Sequence, residues 1–230
     1  MKQRGETANV LELLDHHEPI YDSYKRTKIV PLLDLTFEKG NEARDLVEKV
    51  FAIHWKTQQS CLIVVNKVDR CIQVFKEVKD YLESNDLNNP IFCLSTNILP
   101  IHRFDRIMAI KTALENGEKP ILIATQVVEA GVDLDFDMGI RDLSPIDSIV
   151  QVAGRINRGA NPMSPKRPNL PLYVPNLGDC QSIYGSLTEK QAISALPPLD
   201  DFIWLARADQ YDEQTGFIRK AKADEIQSFF

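Results

Sequence analysis

The sequence is poor in cysteine and contains no cysteine pair with metal-ligand spacing. Its four cysteines among 230 residues, Cys61, Cys71, Cys93 and Cys180, lie far apart and form no C-x-x-C motif. Such paired spacings usually mark zinc sites or disulfide frameworks, so neither is expected here. Cys61 and Cys93 lie within apolar runs, which predicts small buried core residues in a reducing compartment.

The sequence also lacks an apolar run of membrane-spanning length, and its first ten residues, MKQRGETANV, hold no apolar signal core. We therefore expect no membrane partner and a cytoplasmic location. The formal net charge is −6, which argues against a nucleic-acid-binding surface over the whole molecule. A local basic face is still compatible with that total, because residues 146–170 carry four basic residues against one acidic residue.

Two features that suggest a metal site fail on closer inspection, so no metal ligand is expected. The adjacent histidines of HHEP (16–19) would point in different directions, and no later pair completes a cluster, which favours an exposed loop. Three aspartates alternate from Asp133 to Asp137, as in a calcium loop. An EF-hand needs glycine at loop position six and glutamate at twelve, where Met138 and Ser144 stand instead.

Short apolar runs alternate with amphipathic segments along the middle of the chain. This pattern predicts βαβ units, and thus an α/β fold in which a parallel sheet carries helices on both faces. The expected strands are residues 61–66, 91–96, 119–125 and 138–144, with LPLYV (170–174) as an edge strand, and the expected helices are 42–55, 67–84 and 100–117. In the second helix, we expect the core-facing stripe to be Val68, Ile72, Phe75, Val78 and Leu82.

We expect three parts along the chain. Residues 1–27 form a polar N-terminal segment or interdomain linker, and 28–176 form the α/β domain. Residues 177–230 form a helical C-terminal extension or the beginning of a further domain, because SLTEKQAISAL, LDDFIWLARADQ and the charged tail all have helical character.

The stretch ATQVVEAGVDLD (124–135), at the end of the apolar run ILIA, is the first candidate for chemistry. Ligands of open α/β sheets bind beyond the carboxyl ends of the strands, and this stretch directly follows a predicted strand. Thr125 and Gln126 would begin a turn and Gly131 would permit a tight backbone, an arrangement that suits phosphate contacts. Alternatively, Thr125 caps a short helix that Gly131 ends.

The aspartates that follow would share one face of an extended segment and repel one another unless each had its own partner. Asp133 is suited to accept hydrogen bonds from sugar hydroxyls, and either Asp135 or Asp137 could pair with an arginine. Solvated loop acids are the alternative for the last two.

The stretch SPIDSIVQVAGRINR (144–158) is the second candidate. It predicts a helix with Ser144 as N-cap and Pro145 at the first helical position. If that helix persists, Gln151, Arg155 and Arg158 share a stripe, because they are spaced i, i+4 and i+7. The planar guanidinium fork matches phosphate oxygens, so two of them suit a triphosphate. A surface helix with salt bridges is the alternative.

These two stretches resemble known helicase motifs. QVAGRINR (151–158) resembles motif VI of superfamily 2 helicases, whose core is Q-x-x-G-R-x-x-R, and ATQVVEAGVDLD (124–135) resembles motif V. The combined run is most similar to the CRISPR-associated helicase-nuclease of type I systems. LIVVNKVDRCIQVFKEV and CLSTNILPIHRFDR resemble the earlier strands and helices of the same domain, including the region around motif IV, so the resemblance covers about 28–176. It implies the second RecA-like domain of a motor that unwinds DNA and feeds it to a nuclease.

The resemblance also implies a role for each matched residue on the nucleotide side. Arg155 and Arg158 would be arginine fingers on the γ-phosphate of ATP bound with Mg²⁺. Asp133 would bind the ribose hydroxyls, and Gln151 would help to hold the motif VI stripe at the nucleotide. Gly131 would belong to the same nucleotide-binding set.

On the nucleic-acid side, the resemblance places Thr125 and Gln126 near the backbone of single-stranded DNA, with Ser95 and Thr96 as weaker candidates. The implied partners are single-stranded DNA, a first RecA-like domain, a nuclease domain and an RNA-guided CRISPR surveillance complex.

Several features depart from the family pattern. Val152 stands where many relatives carry arginine, which removes one possible contact between the motor domains. The 230 residues contain no G-x-x-x-x-G-K-[ST] motif, no D-E-x-[HD] motif and no H-D pair of a metal-dependent nuclease. We therefore expect ATP to be bound jointly with a first domain supplied in cis or in trans, and the isolated chain to be inactive. Another superfamily 2 helicase, or a non-catalytic nucleic-acid-binding module, remains the alternative.

Overall fold

The structure, a computed structural model, describes residues 27–128, 133–157 and 170–196 and the pairs 211–212 and 217–218. The strands are β1 (Thr27–Leu32), β2 (Cys61–Val64), β3 (Ile91–Leu94), β4 (Ile121–Ala124), β5 (Met138–Arg141), β6 (Leu170–Pro175), β7 (Tyr211–Asp212) and β8 (Phe217–Ile218). The helices are α1 (Glu42–Leu46), a π-helical turn (Val47–Phe51), α2 (Ala52–His54), α3 (Val68–Ser84), α4 (Pro100–Glu115), a 3₁₀ turn (Gln126–Val128), α5 (Ile146–Ala153), α6 (Cys180–Tyr184) and α7 (Ser186–Ala195).

The first six strands form one sheet in the order β1-β6-β5-β2-β4-β3, and every neighbouring pair is parallel. Leu62 of β2 lies opposite Leu122 of β4 and Gly139 of β5. Strands buried on both faces need apolar side chains at every position, which is why β2 and β4 are continuous apolar runs. The predicted α/β fold with a parallel sheet is confirmed.

Alternating strand residues feed two separate cores, one on each face of the sheet. Leu62 and Val64 join a cluster with residues of α4, α5, α6 and α7. Cys61 and Ile63 join the other cluster, with residues of α1, the π-helical turn and α3. Helices therefore cover both faces, as predicted, because each face of the sheet must bury its apolar side chains.

The stripe predicted for the helix after β2 is partly wrong. Val78 and Leu82 are buried, but Ile72 is 44% exposed, while Cys71 and Val74 are fully buried. Both sets are spaced at helical intervals, so the sequence period alone does not choose between them. Packing against the sheet turns the Cys71 and Val74 side of α3 inwards.

The predicted edge position of LPLYV is also wrong. Strand β6 pairs with β1 along Thr27–Leu32 and with β5 at Gly139 and Ile140, so it lies inside the sheet and β1 forms the edge. Residues 27–32 carry no predicted strand, and without β1 strand β6 would be the last strand on that side.

The described part of the C-terminal extension begins with two helices, as predicted. Cys180 of α6 and Ala192 of α7 lie in the same buried cluster as the sheet. Further along, β7 and β8 form an antiparallel pair, so the helical prediction is wrong for those four residues. The predicted helix LDDFIWLARADQ (199–210) lies outside the described residues, as do the histidines at 16 and 17. None of the helices described is long and apolar enough to cross a membrane.

Candidate functional site

The motif V stretch is divided between the two edges of the sheet. Thr125 and Gln126 follow β4 at the carboxyl edge, as predicted. Asp133, by contrast, lines an open cavity of about 340 Å³ with Ser60 and Lys119, which precede β2 and β4 at the amino edge. The expectation that the whole stretch lies beyond the carboxyl ends is therefore wrong, because the chain must return to the amino edge to begin the parallel strand β5.

Asp137, one of the alternating aspartates, connects the segment before β5 to the residues that precede β2 and β4. Asp137 accepts hydrogen bonds from the backbone N–H of Ser60 at 2.9 Å and from the Ser60 hydroxyl at 3.0 Å, and it pairs with Lys119 Nζ at 3.0 Å. Burial opposes ionisation of Asp137, but these contacts outweigh it and hold its pKa below the usual range. The partners of Asp137 are thus Ser60 and Lys119, whereas the sequence predicted either an arginine partner or a solvated carboxylate.

The start of the motif VI helix differs slightly from the prediction. Helix α5 begins at Ile146, and Pro145 is its N-cap with an extended ψ of 146°. Ser144, the predicted N-cap, is fully buried, and its hydroxyl lies 3.5 Å from the Pro145 carbonyl oxygen. Gln151 lies on the exposed side of α5.

The end of this helix changes the geometry of the arginines. Helix α5 ends at Ala153, so the stripe predicted to join Gln151 to Arg155 does not form. Instead, the Phe136 N–H donates to the Arg155 carbonyl at 3.0 Å, and the Asn157 N–H donates to the Phe136 carbonyl at 3.0 Å. This short parallel bridge sets the backbone of Arg155 directly beside the aspartate segment.

The amino edge therefore combines a carboxylate set and an arginine. Asp133 is exposed, and Asp135 and Arg155 are partly exposed. A carboxylate accepts hydrogen bonds from hydroxyls, and a guanidinium donates to phosphate oxygens, so the pair suits a nucleoside phosphate. Arg158 and Gly131 lie outside the described residues. In the parts of the chain that the structure describes, no group of three or more histidine, cysteine or carboxylate side chains could hold a metal ion.

The carboxyl edge carries the candidates for nucleic-acid contact. Thr125 is 2% exposed and Ser95 is 5% exposed, whereas Thr96 is exposed and Gln126 is partly exposed. The Thr125 hydroxyl is buried without a hydrogen-bond partner among the described residues. A 3₁₀ turn follows Thr125, but the Thr125 hydroxyl makes no capping hydrogen bond to it, so the alternative in which Thr125 caps a short helix is wrong.

A buried polar network that no motif predicted lies at the same edge, centred on Asn66. The Asn66 Nδ2 atom donates to Asp142 Oδ2 and to the Leu143 carbonyl, each at 2.7 Å. Asn66 Oδ1 accepts from Arg141 Nη1 at 2.7 Å, and Arg141 Nη2 donates to the Ser148 hydroxyl of α5 at 2.8 Å. The network thus joins the ends of β2 and β5 to the motif VI helix.

Burial raises the pKa of Asp142 to about 7, although the hydrogen bond from the Leu177 N–H and the charge of Arg141 oppose the rise. A charged pair at the end of the buried strand in MGIRDLS was the available sequence signal for this network. Fully buried charges are rare unless they are paired, so Arg141 and Asp142 needed partners from elsewhere in the chain.

The sheet order, the two-sided helical cover and the division of the motifs between its edges define a RecA-like α/β domain. Solved structures support this fold: that of T. fusca Cas3 with AMPPNP superposes with a TM-score of 0.62, at 20% identity over 74% of this chain and 21% of that chain. Another, described as a CRISPR-associated protein, covers 90% of this chain and 24% of its own, with a TM-score of 0.61 and 20% identity.

Sequence comparison finds one family. Residues 57–161, which include both motif stretches, match the model of CRISPR-associated nuclease/helicase Cas3, C-terminal. The chain is 33% identical over 122 residues to the CRISPR-associated nuclease/helicase Cas3 of Methanothermobacter thermautotrophicus, covering 53% of this chain and 14% of the relative. It is 53% identical over 58 residues to that of Haloferax volcanii, covering 24% of this chain and 6% of the relative.

Proposed function

We propose that this chain is the second motor domain of an ATP-dependent DNA helicase or translocase of CRISPR antiviral defence. The observation that carries the proposal is the bridge between Phe136 and Ile156, which joins the two stretches that resemble motifs V and VI. Both stretches fall within the segment matched by the Cas3 family model. The chain spans only 14% of the M. thermautotrophicus relative, so the activity of the whole protein is part of the proposal.

On the nucleotide side, Arg155 would donate to the phosphate oxygens of ATP, and Asp133 would accept from the ribose hydroxyls. Arg158, Gly131 and Gln151 complete the proposed set by resemblance. A bound Mg²⁺ would neutralise charge on the phosphates, and its ligands would come from a first RecA-like domain. Arginine fingers stabilise charge on the transferring phosphoryl group and are worth about 10³–10⁵ in rate. T. fusca Cas3 structures with ATP, ADP and AMPPNP support nucleotide binding in the family.

On the DNA side, we propose that Gln126 and Thr96 make the contacts of the carboxyl edge. They are the more accessible of the four candidates, because Thr125 and Ser95 are buried. Thr125 and Ser95 would pack beneath this surface and hold its backbone in position, without contacting the DNA. Phosphate contacts dominate such binding, so we expect it to weaken steeply with added salt.

The proposed partners are a first RecA-like domain, a nuclease domain and an RNA-guided surveillance complex, in the cytoplasm. A structure described as a CRISPR RNA-guided surveillance complex, pre-nicking, has a chain that superposes on 88% of this one with a TM-score of 0.59. The division at residues 28 and 177 also remains a proposal. Because α6 and α7 share the core of the sheet, we favour including residues up to 196 in the motor domain.

The finger assignment is tested by Arg155→Ala in a motor that joins this chain to its first RecA-like domain. We expect ATP turnover to fall by about 10³-fold or more while nucleotide affinity changes little. Arg44→Ala is the matched control, because Arg44 is an exposed arginine of α1 whose partner is Glu48 one helical turn away. Turnover by Arg155→Ala near the wild-type rate would refute the assignment.

The division of the site between two domains is tested with the 230-residue chain alone. We expect no ATP hydrolysis with or without single-stranded DNA, and only weak, salt-sensitive binding of an oligonucleotide. DNA-stimulated hydrolysis by this chain would contradict the proposal. Tight binding that is insensitive to salt would favour a non-catalytic binding module.

A further inference from the structure

The C-terminal extension touches a candidate DNA-binding residue directly. The Gln126 Nε2 atom donates to the hydroxyl of Tyr184, the last residue of α6, at 2.6 Å. The same nitrogen lies 3.4 Å from the Asn66 carbonyl oxygen, and the Tyr184 hydroxyl lies 3.4 Å from Asn66 Oδ1. The carboxamide of Gln126 is therefore held between the end of β2 and the extension.

Tyr184 is itself held in place by contacts on the preceding residues. Asp179, next to α6, pairs with Lys67 at 2.8 Å and with the Arg70 Nε atom at 3.3 Å. Asp179 and Arg70 have side-chain exposures of only 7% and 11%. In addition, the Leu177 N–H donates to Asp142 Oδ1 at 3.0 Å. These contacts connect residues 177–184 to the carboxyl edge and make Tyr184 a fixed support.

The contact also connects Gln126 to the motif VI helix. Tyr184 and Gln126 both meet Asn66, Asn66 accepts from Arg141, and Arg141 donates to Ser148 of α5. The bonds from Arg141 to Asn66 and Ser148 are short, at 2.7 and 2.8 Å, whereas the two contacts that reach Asn66 from Gln126 and Tyr184 are longer, at 3.4 Å each. The Gln126–Tyr184 bond at 2.6 Å is therefore the main anchor of the carboxamide.

We propose that Tyr184 is a positioning residue for nucleic-acid binding: it fixes the Gln126 carboxamide at the carboxyl edge and so makes residues 177–184 part of the binding surface. This inference rests on the proposed contact between Gln126 and single-stranded DNA. Because both donor hydrogens of the carboxamide face Tyr184 and Asn66, its carbonyl oxygen is the group presented to a ligand. That oxygen would accept from a base N–H, such as that of thymine, and not bind phosphate, which offers only acceptors.

The test measures binding of a fluorescent oligo(dT) to the 230-residue chain at low salt, by anisotropy. Tyr184→Phe removes only the hydroxyl, and we expect it to weaken binding by about 3- to 10-fold, the loss of one hydrogen bond. Tyr173→Phe is the matched control, because Tyr173 packs against His54 on the opposite face of the sheet. It should bind like the wild type.

A double-mutant cycle separates positioning from a general structural effect. If Tyr184 acts through Gln126, then Tyr184→Phe should have no further effect on binding in a Gln126→Ala background. Equal fold losses in the two backgrounds would overturn the inference, as would wild-type affinity of Tyr184→Phe. Thermal denaturation of each variant identifies any loss of binding that merely follows unfolding.

Hydrogen exchange decides the inference independently of DNA. In Tyr184→Phe, the backbone amides of Gln126–Val128 should exchange faster than in Tyr173→Phe, because the turn has lost a side-chain anchor. Equal exchange rates would overturn the positioning role. If the wild type does not bind the oligonucleotide at all, the proposed function fails, while the exchange result still decides whether Tyr184 holds this turn.

Discussion

Replacing Arg141 by methionine should destabilise this domain more than most single substitutions. Arg141 is fully buried in β5. Its Nη1 atom donates to Asn66 Oδ1 at 2.7 Å and to the Asp142 carbonyl at 3.0 Å, and its Nη2 atom donates to the Ser148 hydroxyl at 2.8 Å. Methionine keeps an apolar stem of similar length but donates no hydrogen bond, so the loss is chemical rather than a large cavity.

The size of the destabilisation follows from the buried hydrogen-bond acceptors that would lose their donor when Arg141 is replaced. The acceptors on Asn66 and Ser148 would lose a donor, at about 1–3 kcal/mol for each buried group that is left unsatisfied. Asp142 would also lose the neighbouring positive charge of Arg141, which favours its ionised form. These contributions overlap, so we expect the free energy of unfolding to fall by about 4 kcal/mol. At about 2–4 °C per kcal/mol for a domain of this size, the melting temperature should fall by roughly 10 °C.

Urea unfolding followed by circular dichroism measures this loss. Arg106→Met is the control, because Arg106 is an exposed arginine of α4 that donates to the Cys93 carbonyl at 2.8 Å. Its cost should be below about 1 kcal/mol. If Arg141→Met lost less than about 1 kcal/mol with an unchanged denaturant slope, the network around Asn66 would not stabilise the fold as argued.

Three further predictions concern packing and ionisation. Gly139→Ala would place a methyl group 2.6 Å from the Leu172 side chain. We therefore expect the free energy of unfolding, measured with urea, to fall by about 1–3 kcal/mol. An unchanged urea midpoint would contradict the close packing. The hydrogen bond with the Cys71 thiol lowers the pKa of Cys93, so iodoacetamide should alkylate Cys93 at a lower pH in the wild type than in Cys71→Ala. Equal pH profiles in the two proteins would refute this. Burial raises the pKa of Asp142 from 3.8 to about 7, so the folded state binds more protons than the unfolded state between these pH values. The contribution of Asp142 to stability should therefore fall as the pH rises through that window. A difference in unfolding free energy between wild type and Asp142→Asn that stays constant from pH 4 to 7 would refute this.

The sequence alone was enough to predict the architecture. Strands buried on both faces must be apolar at every position, so CLIV and ILIA stand out from the amphipathic segments between them. The two motif stretches could also be found, because their glycine, aspartate and arginine spacing lies within short segments. The buried face of α3 was less certain, because two stripes one residue apart fit the same helical period.

The end of the motif VI helix could not be predicted from its own residues. Helical periodicity continues past Ala153, but the Thr27 hydroxyl lies 3.0 Å from the carbonyl oxygens of both Ala153 and Ile156, where its one hydrogen is shared between them, and Phe136 pairs with the chain beyond. Asn157 takes a positive φ of 57°, a conformation that asparagine tolerates better than most residues. A single partner, Thr27, which lies 126 residues before Ala153 and 129 before Ile156, thus helps to end the helix just before Arg155.

Local sequence therefore determined which segments form strands and helices and which residues are candidates for chemistry. Only the tertiary structure decided where those candidates lie. A parallel strand order returns the chain to the amino edge before each strand, so Asp133 is separated from Thr125 although they are close in sequence. The same topology brings Asn66, Arg141 and Tyr184 together from distant parts of the chain, and no local spacing could have revealed that meeting.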